Sequence, residues 1–351
     1  MIKVKVGPDQ SLSFSFDPDW LPFLLRRFGR GPVDSSLNYA TAHSESAYPA
    51  TTPNLLRIQH GADEVRAPYV VVFDYRKPTV MGLGAFTHTG RYHLPGELAL
   101  LREAEISRRK AAGGLKKGDQ AAVRLAAATV YPDRVEFEIQ DATYYDQVGS
   151  NLSVDAVLPA TPGINSGECK TARDWDKVQA GSGVQLPSLQ ASRLSNTIGV
   201  AIGIRAVSED GRPGIVVRKR GSHVAVYANM WHLPLSFALS YTPPLPPSGA
   251  LENIINFDYA HELEQETGLE PDEVTPIRAL ALCRDLCRAG KPQFFLEIEC
   301  SLTYEELERR MRKHNDEYRA SSRLLTLGKV PQFIQEDGSP ELLAYLCLRT
   351  Q

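Results

Sequence analysis

The stretch His261-Glu-Leu-Glu-Gln-Glu-Thr-Gly-Leu269 decides how this chain of 351 residues is interpreted. Glu262 and Glu266 are four residues apart, so on a helix both carboxylates project from one face. Two such carboxylates can hold a hard cation such as Mg²⁺ through oxygen ligands, while the phosphate oxygens of a ligand complete the coordination shell. The stretch therefore predicts a helix over about 251–268 with an acidic face that could serve a phosphorylated ligand.

The segments around this helix predict a sheet. Residues 196–207 form an apolar run, 209–213 read as a turn, and 215–219 form a second apolar run, which together indicate a β-hairpin. A third run, 294–299, is typical of a buried strand. A further helix within 303–319 begins with a Ser/Thr-x-x-Glu capping box.

In this order the elements resemble a Nudix hydrolase domain. Asn196-Thr-Ile-Gly-Val-Ala-Ile-Gly-Ile204 resembles its first long strand, and Gly214-Ile-Val-Val-Arg-Lys-Arg220 resembles the following strand that ends in two arginines. Residues 226–234, with Asn229 and Trp231, resemble the approach to the motif helix. The resemblance covers 193–351 and implies an α/β/α Nudix-type sandwich with a mixed sheet.

The resemblance also implies a site and a reaction. Glu262 and Glu266 would be the metal ligands and catalytic carboxylates, with Mg²⁺ or Mn²⁺ as cofactor if the protein is active. Arg218 and Arg220 lie two residues apart on one strand face and would pair with phosphate, while Trp231 would stack on a base. The implied chemistry is metal-assisted attack of water on the diphosphate of a nucleoside diphosphate linked to another group.

Several positions depart from the family pattern. His261 stands at the motif arginine, Gln265 replaces a metal-binding glutamate, and the expected glycine and first glutamate positions hold Pro247 and Asn253. These changes leave two hypotheses, a Nudix-type pyrophosphohydrolase or a catalytically inactive Nudix-fold nucleotide sensor or protein-interaction module. The sequence leans towards the enzyme because the two carboxylates that a metal would need most are present.

Two further observations bear on the reaction. Glu297 or Glu299, on the later strand, is a candidate general base. Residues 141–151, Asp-Ala-Thr-Tyr-Tyr-Asp-Gln-Val-Gly-Ser-Asn, resemble a segment found before the domain in UDP-sugar-cleaving Nudix proteins. That similarity favours a nucleotide sugar, with an ADP-ribose-like molecule as the alternative.

The N-terminal part predicts a separate α+β region of unknown role over 1–155. Asp17-Pro18 indicates a helix start, Leu98 to Ala112 a helix with a basic end, and 120–131 and 134–140 a pair of strands. Residues 156–192 are broken by prolines and glycines and predict a linker. A third hypothesis places the activity in this N-terminal region, with the C-terminal domain regulating it.

Composition limits the partners and the compartment. A formal net charge of −3 gives the whole chain no drive towards nucleic acid or an anionic membrane, so we expect neither as a partner. No run approaches the ~18–20 apolar residues of a membrane span. Five cysteines, an odd number in a chain of this size, indicate reduced thiols and a cytoplasmic protein. The expected partner is a nucleoside diphosphate derivative, and a homodimer or a protein partner stays open.

Overall fold

A computed structural model describes most of the chain. The described residues are 2–6, 12–16, 48, 52–60, 63–77, 80, 82–111, 115, 118–159, 170–221, 226–241, 243–314, 321–326 and 330–350. The helix predicted to begin at Asp17-Pro18 lies outside them. In the described part of the chain, no helix is long and apolar enough to cross a membrane.

The described residues contain seven α-helices and fifteen β-strands. The α-helices are α1 (Gly96–Ala111), α2 (Tyr144–Val148), α3 (Ala172–Ala180), α4 (Leu251–Thr267), α5 (Tyr304–His314), α6 (Gln332–Asp337) and α7 (Pro340–Thr350). The strands are β1 (Ile2–Val6), β2 (Leu12–Phe16), β3 (Leu55–His60), β4 (Asp63–Asp74), β5 (Ala85–Arg91), β6 (Ala121–Val130), β7 (Val135–Thr143), β8 (Gly199–Val207), β9 (Pro213–Lys219), β10 (Trp231–His232), β11 (Leu235–Ala238), β12 (Ser248–Ala250), β13 (Arg278–Asp285), β14 (Lys291–Thr303) and β15 (Ser322–Thr326).

A nine-stranded mixed sheet forms the centre of the molecule, in the order β10-β9-β8-β14-β13-β4-β3, with β11 paired to β8 and β15 to β9. β8 and β14 run parallel and all other pairs in this sheet are antiparallel. β8 and β9 form the predicted hairpin, in which Arg205 lies opposite Ile215. The mixed sheet of the predicted fold class is therefore confirmed.

Helices pack against both faces of this sheet because its central strands are apolar on both sides. Val200 and Ile202 of β8 belong to the core that includes Leu263 of α4 and Leu307 of α5. Ala201, between them, belongs to the core on the opposite face, which includes residues of α7. Successive side chains of a strand alternate between faces, so each central strand serves both cores. The finer match to a Nudix sandwich stays a prediction.

A second sheet of four strands has the order β12-β5-β7-β6. Its strand β12 comes from the C-terminal half of the chain and pairs with β5 through Gly249 and Phe86. Conversely, β3 and β4 come from the N-terminal third and extend the large sheet beyond β13. The predicted boundary near residue 155 therefore does not separate the sheets, and independent folding of the two regions stays a prediction that the topology does not favour.

The described part of the predicted linker, 156–159 and 170–192, is packed structure. Helix α3 begins with a capping box between Thr171 and Asp174 and ends at Gly181, whose φ of 62° is left-handed. Arg173 is buried and donates hydrogen bonds to the backbone carbonyls of Leu286 and Cys287. Prolines and glycines here mark turns between packed segments, so they were a poor guide to a linker.

Candidate functional site

The predicted motif helix is present as α4. Its first N–H, that of Leu251, donates to the carbonyl of Gly84, and its end is capped by Gly268 with a φ of 71°. Leu251, Ile255 and Leu263 pack into the core and fix which face of the helix lies against the sheet. The predicted helix is confirmed, with its boundaries shifted by one residue at most.

Arg218 of β9 contacts the C-terminal turn of α4. Its guanidinium donates to the backbone carbonyl of Glu266 at 2.9 Å and lies 3.4 Å from the Glu266 carboxylate. The Arg218 side chain is 3% exposed. A cation at this position satisfies a terminal carbonyl and stabilises the negative end of the helix dipole. The structure thus brings two predicted site residues together, but in a contact that attaches helix to strand.

The predicted metal ligands Glu262 and Glu266 belong to no larger cluster of metal-ligating side chains in the described residues, and their role as ligands stays a prediction. Glu262 and Glu266 are both partly buried, and Glu266 is paired with Arg218. In the part of the chain that the structure describes, no group of three or more His, Cys, Asp or Glu side chains could hold a metal ion. Two carboxylates, one of them paired with an arginine, leave most of an octahedral Mg²⁺ shell to water and ligand phosphates.

Trp231 lies in the protein core. Its side chain is buried, its ring packs edge-on against Phe333 with centroids 5.1 Å apart, and the guanidinium of Arg323 lies over it at 5.0 Å. A tryptophan enclosed in this way contributes packing and a cation–π contact. This environment does not favour the predicted stacking on a base.

Arg220, two residues after Arg218, lines a small cavity of about 200 Å³. Other residues with polar side chains that line it are Tyr144, Gln147, Tyr227, His232, Ser236, Arg288, Lys291, Gln293 and Glu341. Within the described residues, the guanidinium of Arg220 makes no hydrogen bond or ion pair, and its Nε is buried. That Arg220 pairs with phosphate stays a prediction.

His232 lies beside Arg220 in this cavity and is buried. Its Nδ1 is 2.7 Å from the hydroxyl oxygen of Ser339, which also accepts from the N–H of Leu342. In the tautomer in which the Ser339 hydroxyl donates to Nδ1, the imidazole hydrogen lies on Nε2. Burial, followed by the charges of Arg220 and Arg288, holds the pKa of His232 well below its usual range. His232 is therefore neutral, and in this tautomer its Nε2 is a hydrogen-bond donor.

Lys291, the first residue of β14, lines the same cavity and is 2% exposed. Burial, and next the charge of Arg288, lowers the pKa of Lys291 to about 7. Burial raises the pKa of the neighbouring Glu341, while Arg288 opposes that shift. Sequence reasoning missed Lys291, and the available signal was a single lysine at the edge of the apolar run that follows it.

The two candidate general bases are committed elsewhere. Glu297 is buried, accepts a hydrogen bond from the Tyr345 hydroxyl at 2.6 Å and pairs with Arg349 at 3.0 Å. Glu299 pairs with Arg205 on the same sheet. These contacts engage carboxylate oxygens that a general base would need for a water molecule. They do not favour either residue as the base.

The 141–151 segment ends in a buried hydrogen-bond network. The side-chain oxygen of Asn151 accepts from the N–H of Asn196 at 2.7 Å and from the hydroxyl of Ser195 at 3.0 Å. Its amide nitrogen donates to the carbonyl of Arg288 at 2.9 Å. Ser150 and Asn151 are fully buried. Their contacts join the N-terminal region to the segments that precede β8 and β14, so these two residues have a structural role and do not support nucleotide-sugar recognition.

A larger cleft of about 660 Å³ lies along the N-terminal half of α4. The Tyr75 hydroxyl donates to the carbonyl of Leu83, Glu252 accepts from the N–H of Leu83, and Arg278 pairs with Glu297. The Tyr259 hydroxyl is buried without a hydrogen-bond partner among the described residues. The cleft differs from the smaller cavity in its charge, because its described lining includes one arginine, which is paired, and no lysine.

Comparison with known proteins gives partial structural likeness. No family model matches the chain, and no curated protein matches it. Solved structures that resemble part of it include a Nudix hydrolase from M. smegmatis, RenU, with 12% identity and a TM-score of 0.26 over 43% of this chain and 83% of that one. Another is NrtR of Shewanella oneidensis, complexed with a 27-mer DNA, with 13% identity and a TM-score of 0.27 over 44% of this chain and 60% of NrtR.

These values are too low to decide the family or the function of this chain. One expectation is nevertheless corrected, because a partial neighbour is a DNA complex. The exclusion of nucleic acid as a partner was wrong. The inference from net charge fails because −3 is a sum over the whole chain. It does not describe how the cations are distributed over the surface.

Proposed function

We propose that this protein binds a nucleoside diphosphate derivative, such as a nucleotide sugar or an ADP-ribose-like molecule, as a sensor without a dedicated metal site. The observation that carries this proposal is the contact between Arg218 and Glu266. This contact joins β9 to the predicted motif helix α4, which supports a Nudix-like arrangement of the two elements. It also engages a carboxylate that metal catalysis would need. Arg220, on the same strand face, supplies a cation for phosphate.

Titration calorimetry tests this proposal with UDP-glucose and ADP-ribose, each in excess EDTA and then in Mg²⁺. We expect saturable binding whose dissociation constant changes less than about three-fold between the two conditions. Chromatography of the same samples should show no release of UMP or AMP. Absence of binding by both ligands in both conditions would contradict the proposal, as would binding that disappears in EDTA.

Hydrolysis is the second candidate, because Glu262 and Glu266 lie one helical turn apart and are both partly buried. In this alternative, Mg²⁺ or Mn²⁺ would arrive with the phosphates of the ligand. Metal-dependent release of UMP or AMP that Glu266→Gln abolishes without a loss of folding would favour the enzyme. Turnover unchanged in Glu266→Gln would exclude Glu266 as a catalytic residue.

A cytoplasmic location stays part of the proposal. The described cysteines form no disulfide with one another, and they are Cys283, Cys287, Cys300 and Cys347. Burial raises the pKa of each of the three thiols for which a shift is resolved, at 283, 300 and 347. Raised thiol pKa values reduce thiolate reactivity and fit a structural role. A homodimer or a protein partner also stays open.

A further inference from the structure

The cavity of about 200 Å³ beside β9, β10 and β14 brings cationic and hydrogen-bond-donating side chains together. We propose that it is a binding site for a phosphate-type anion, held by Lys291, Arg220 and His232. The anion is either inorganic phosphate or the phosphate end of a larger ligand. For the larger ligand, this site proposal rests on the proposed function and adds the residues that hold the phosphate. For inorganic phosphate it is independent of that function.

The two cations that define the site share one nearby acid, Glu341, which interacts with both charges without a close contact. Neither the Lys291 ammonium nor the Arg220 guanidinium makes a hydrogen bond or an ion pair with a described residue. A buried ammonium without a partner costs free energy unless something compensates its charge. An anion in the cavity that both side chains line would supply that compensation.

The position of the Lys291 ammonium depends on a glycine on the neighbouring strand. A Cβ added at Gly199 of β8 would lie 2.1 Å from Oε1 of Gln293 and 2.5 Å from Nζ of Lys291. Any larger residue at 199 would therefore displace the ends of both side chains. The parallel pairing of β8 with β14 thus leaves space for the lysine at the strand end where the cavity lies.

The remaining charges leave the cavity positive. Arg288 pairs with Asp285 at 2.5 Å and lies 3.6 Å from Glu341. The Glu341 carboxylate also accepts from the Ser236 hydroxyl at 2.6 Å. With Lys291 protonated, the cations Arg220, Arg288 and Lys291 outnumber the two acids by one charge. The acids are held by their own donors, so Lys291 and Arg220 stay available to a ligand.

His232 completes the set of donors. Its Nε2 has no hydrogen-bond partner in the described residues and lies 3.7 Å from Glu341. As a neutral donor it can bond an oxygen without adding a charge. Two cations and one neutral donor in a cavity of this size suit one tetrahedral oxyanion, which offers several acceptor oxygens.

The test compares Lys291→Gln and Arg220→Gln with Lys219→Gln. Lys219 lies on the opposite strand face and pairs with Asp337 at 3.7 Å, so this control removes the same charge outside the cavity. Inorganic phosphate is titrated by calorimetry at constant ionic strength. We expect saturable binding by the wild type and the control, and binding at least about ten-fold weaker in both cavity variants.

No saturable phosphate binding by the wild type would overturn the proposal, and so would equal affinities in all four proteins. If Lys291→Gln does not fold, Arg220→Gln alone decides. A parallel titration with UDP separates the two ligand sources. Phosphate binding without UDP binding would keep this site and reject the nucleotide. UDP binding that both cavity variants leave unchanged would keep the proposed function and place its phosphates elsewhere.

Discussion

Lys291 places an ammonium group where almost no solvent reaches it, at the start of a strand that is otherwise buried. The side chain gains no internal ion pair within the described residues that would explain this position. Features that cost stability without a structural gain are expected at functional sites. The physical cost of Lys291 is therefore itself an argument for a ligand at the cavity.

Replacing Lys291 by Met should stabilise the ligand-free protein by about 1–4 kcal/mol near pH 6. The folded-state pKa of Lys291, about 7, lies below the ordinary lysine value of 10.5, so between these values the unfolded chain holds a proton that the folded chain lacks. The contribution of Lys291 to the free energy of unfolding of the wild type therefore rises as the pH rises from about 7 to 10.5. The charged groups that act on Lys291 are Arg288, Glu341 and Asp285.

Urea unfolding at pH 6 and pH 10 measures this difference. The advantage of Lys291→Met should be largest at pH 6 and should shrink towards pH 10, where the wild-type lysine is neutral in the folded state. A Met variant that is less stable than the wild type at pH 6 would refute the uncompensated-charge interpretation. So would an advantage that does not change with pH.

Arg218 and Glu266 should differ in their effects on stability. Arg218→Met removes the donor to the Glu266 carbonyl and should destabilise the protein by about 1–3 kcal/mol. Glu266→Gln keeps that carbonyl and weakens the longer contact between Arg218 and the carboxylate, so we expect a loss below about 1 kcal/mol. Thermal unfolding of both variants checks the order. Equal losses would mean that Arg218 acts through the carboxylate and not as a helix cap.

Residue-level prediction succeeded where chain spacing determines geometry. The motif predicted helix α4 at its observed place in the chain. The shared strand face of Arg218 and Arg220 stays a prediction, because β9 ends at Lys219. Spacing could not show that Arg218 would cap the helix, nor that Trp231 would be enclosed by the core. Lys291 acquires its surroundings from Arg288 and Glu341, which come from other elements. No local pattern contains that information.

At the scale of elements, the end of α4 depends on Gly268. Its φ of 71° favours glycine, and a Cβ there would lie 2.5 Å from Cδ2 of His314 on α5. The contact is with a side chain of the neighbouring helix, so both backbone conformation and packing select glycine. The Thr-Gly at the end of the motif is therefore explained by local structure, without reference to catalysis.

Gly268→Ala should destabilise the protein by about 1–3 kcal/mol, because left-handed strain and the approach to His314 both oppose it. Gly211→Ala is the matched control. It has a φ of 83° and open space around the added Cβ, so only the strain applies and the loss should be about 1 kcal/mol. Thermal unfolding compares the two. If Gly268→Ala loses no more stability than the control, the contact with His314 makes no measurable contribution.

Strong periodicity predicted α1, α4, β6, β7 and the β8–β9 hairpin within a few residues. The helix α3 was missed because prolines and glycines flank it on both sides, which made its surroundings resemble a linker. The pairing of β4 with β13 was also missed, since more than 200 residues separate their sequences. Strand pairing over such a distance leaves no local pattern in the chain.

For the whole molecule, the two halves share their sheets. β13 lies between β14 and β4, so removal of the N-terminal region would expose its paired edge and apolar residues such as Leu282. Asn151 and Asn196 further join the halves through buried hydrogen bonds. The arrangement is that of one interdependent core with strands contributed from both regions.

A fragment of residues 193–351 should therefore fail to fold stably on its own. Circular dichroism and urea unfolding should show loss of the cooperative transition that the full chain displays. A fragment of residues 48–351, which keeps β3 and β4, is the control and should retain it. Cooperative unfolding of 193–351 with full-chain stability would instead support the predicted division into independent domains.

The binding of UDP-glucose in excess EDTA, measured by titration calorimetry on the full chain, tests the central claim most directly. A sensor whose phosphate contacts come from arginine and lysine should bind saturably and leave the ligand intact. Binding should also persist in Glu266→Gln, because that carboxylate is not needed to hold a metal. No binding until Mg²⁺ is added, followed by release of UMP, would contradict the account and establish the hydrolase instead.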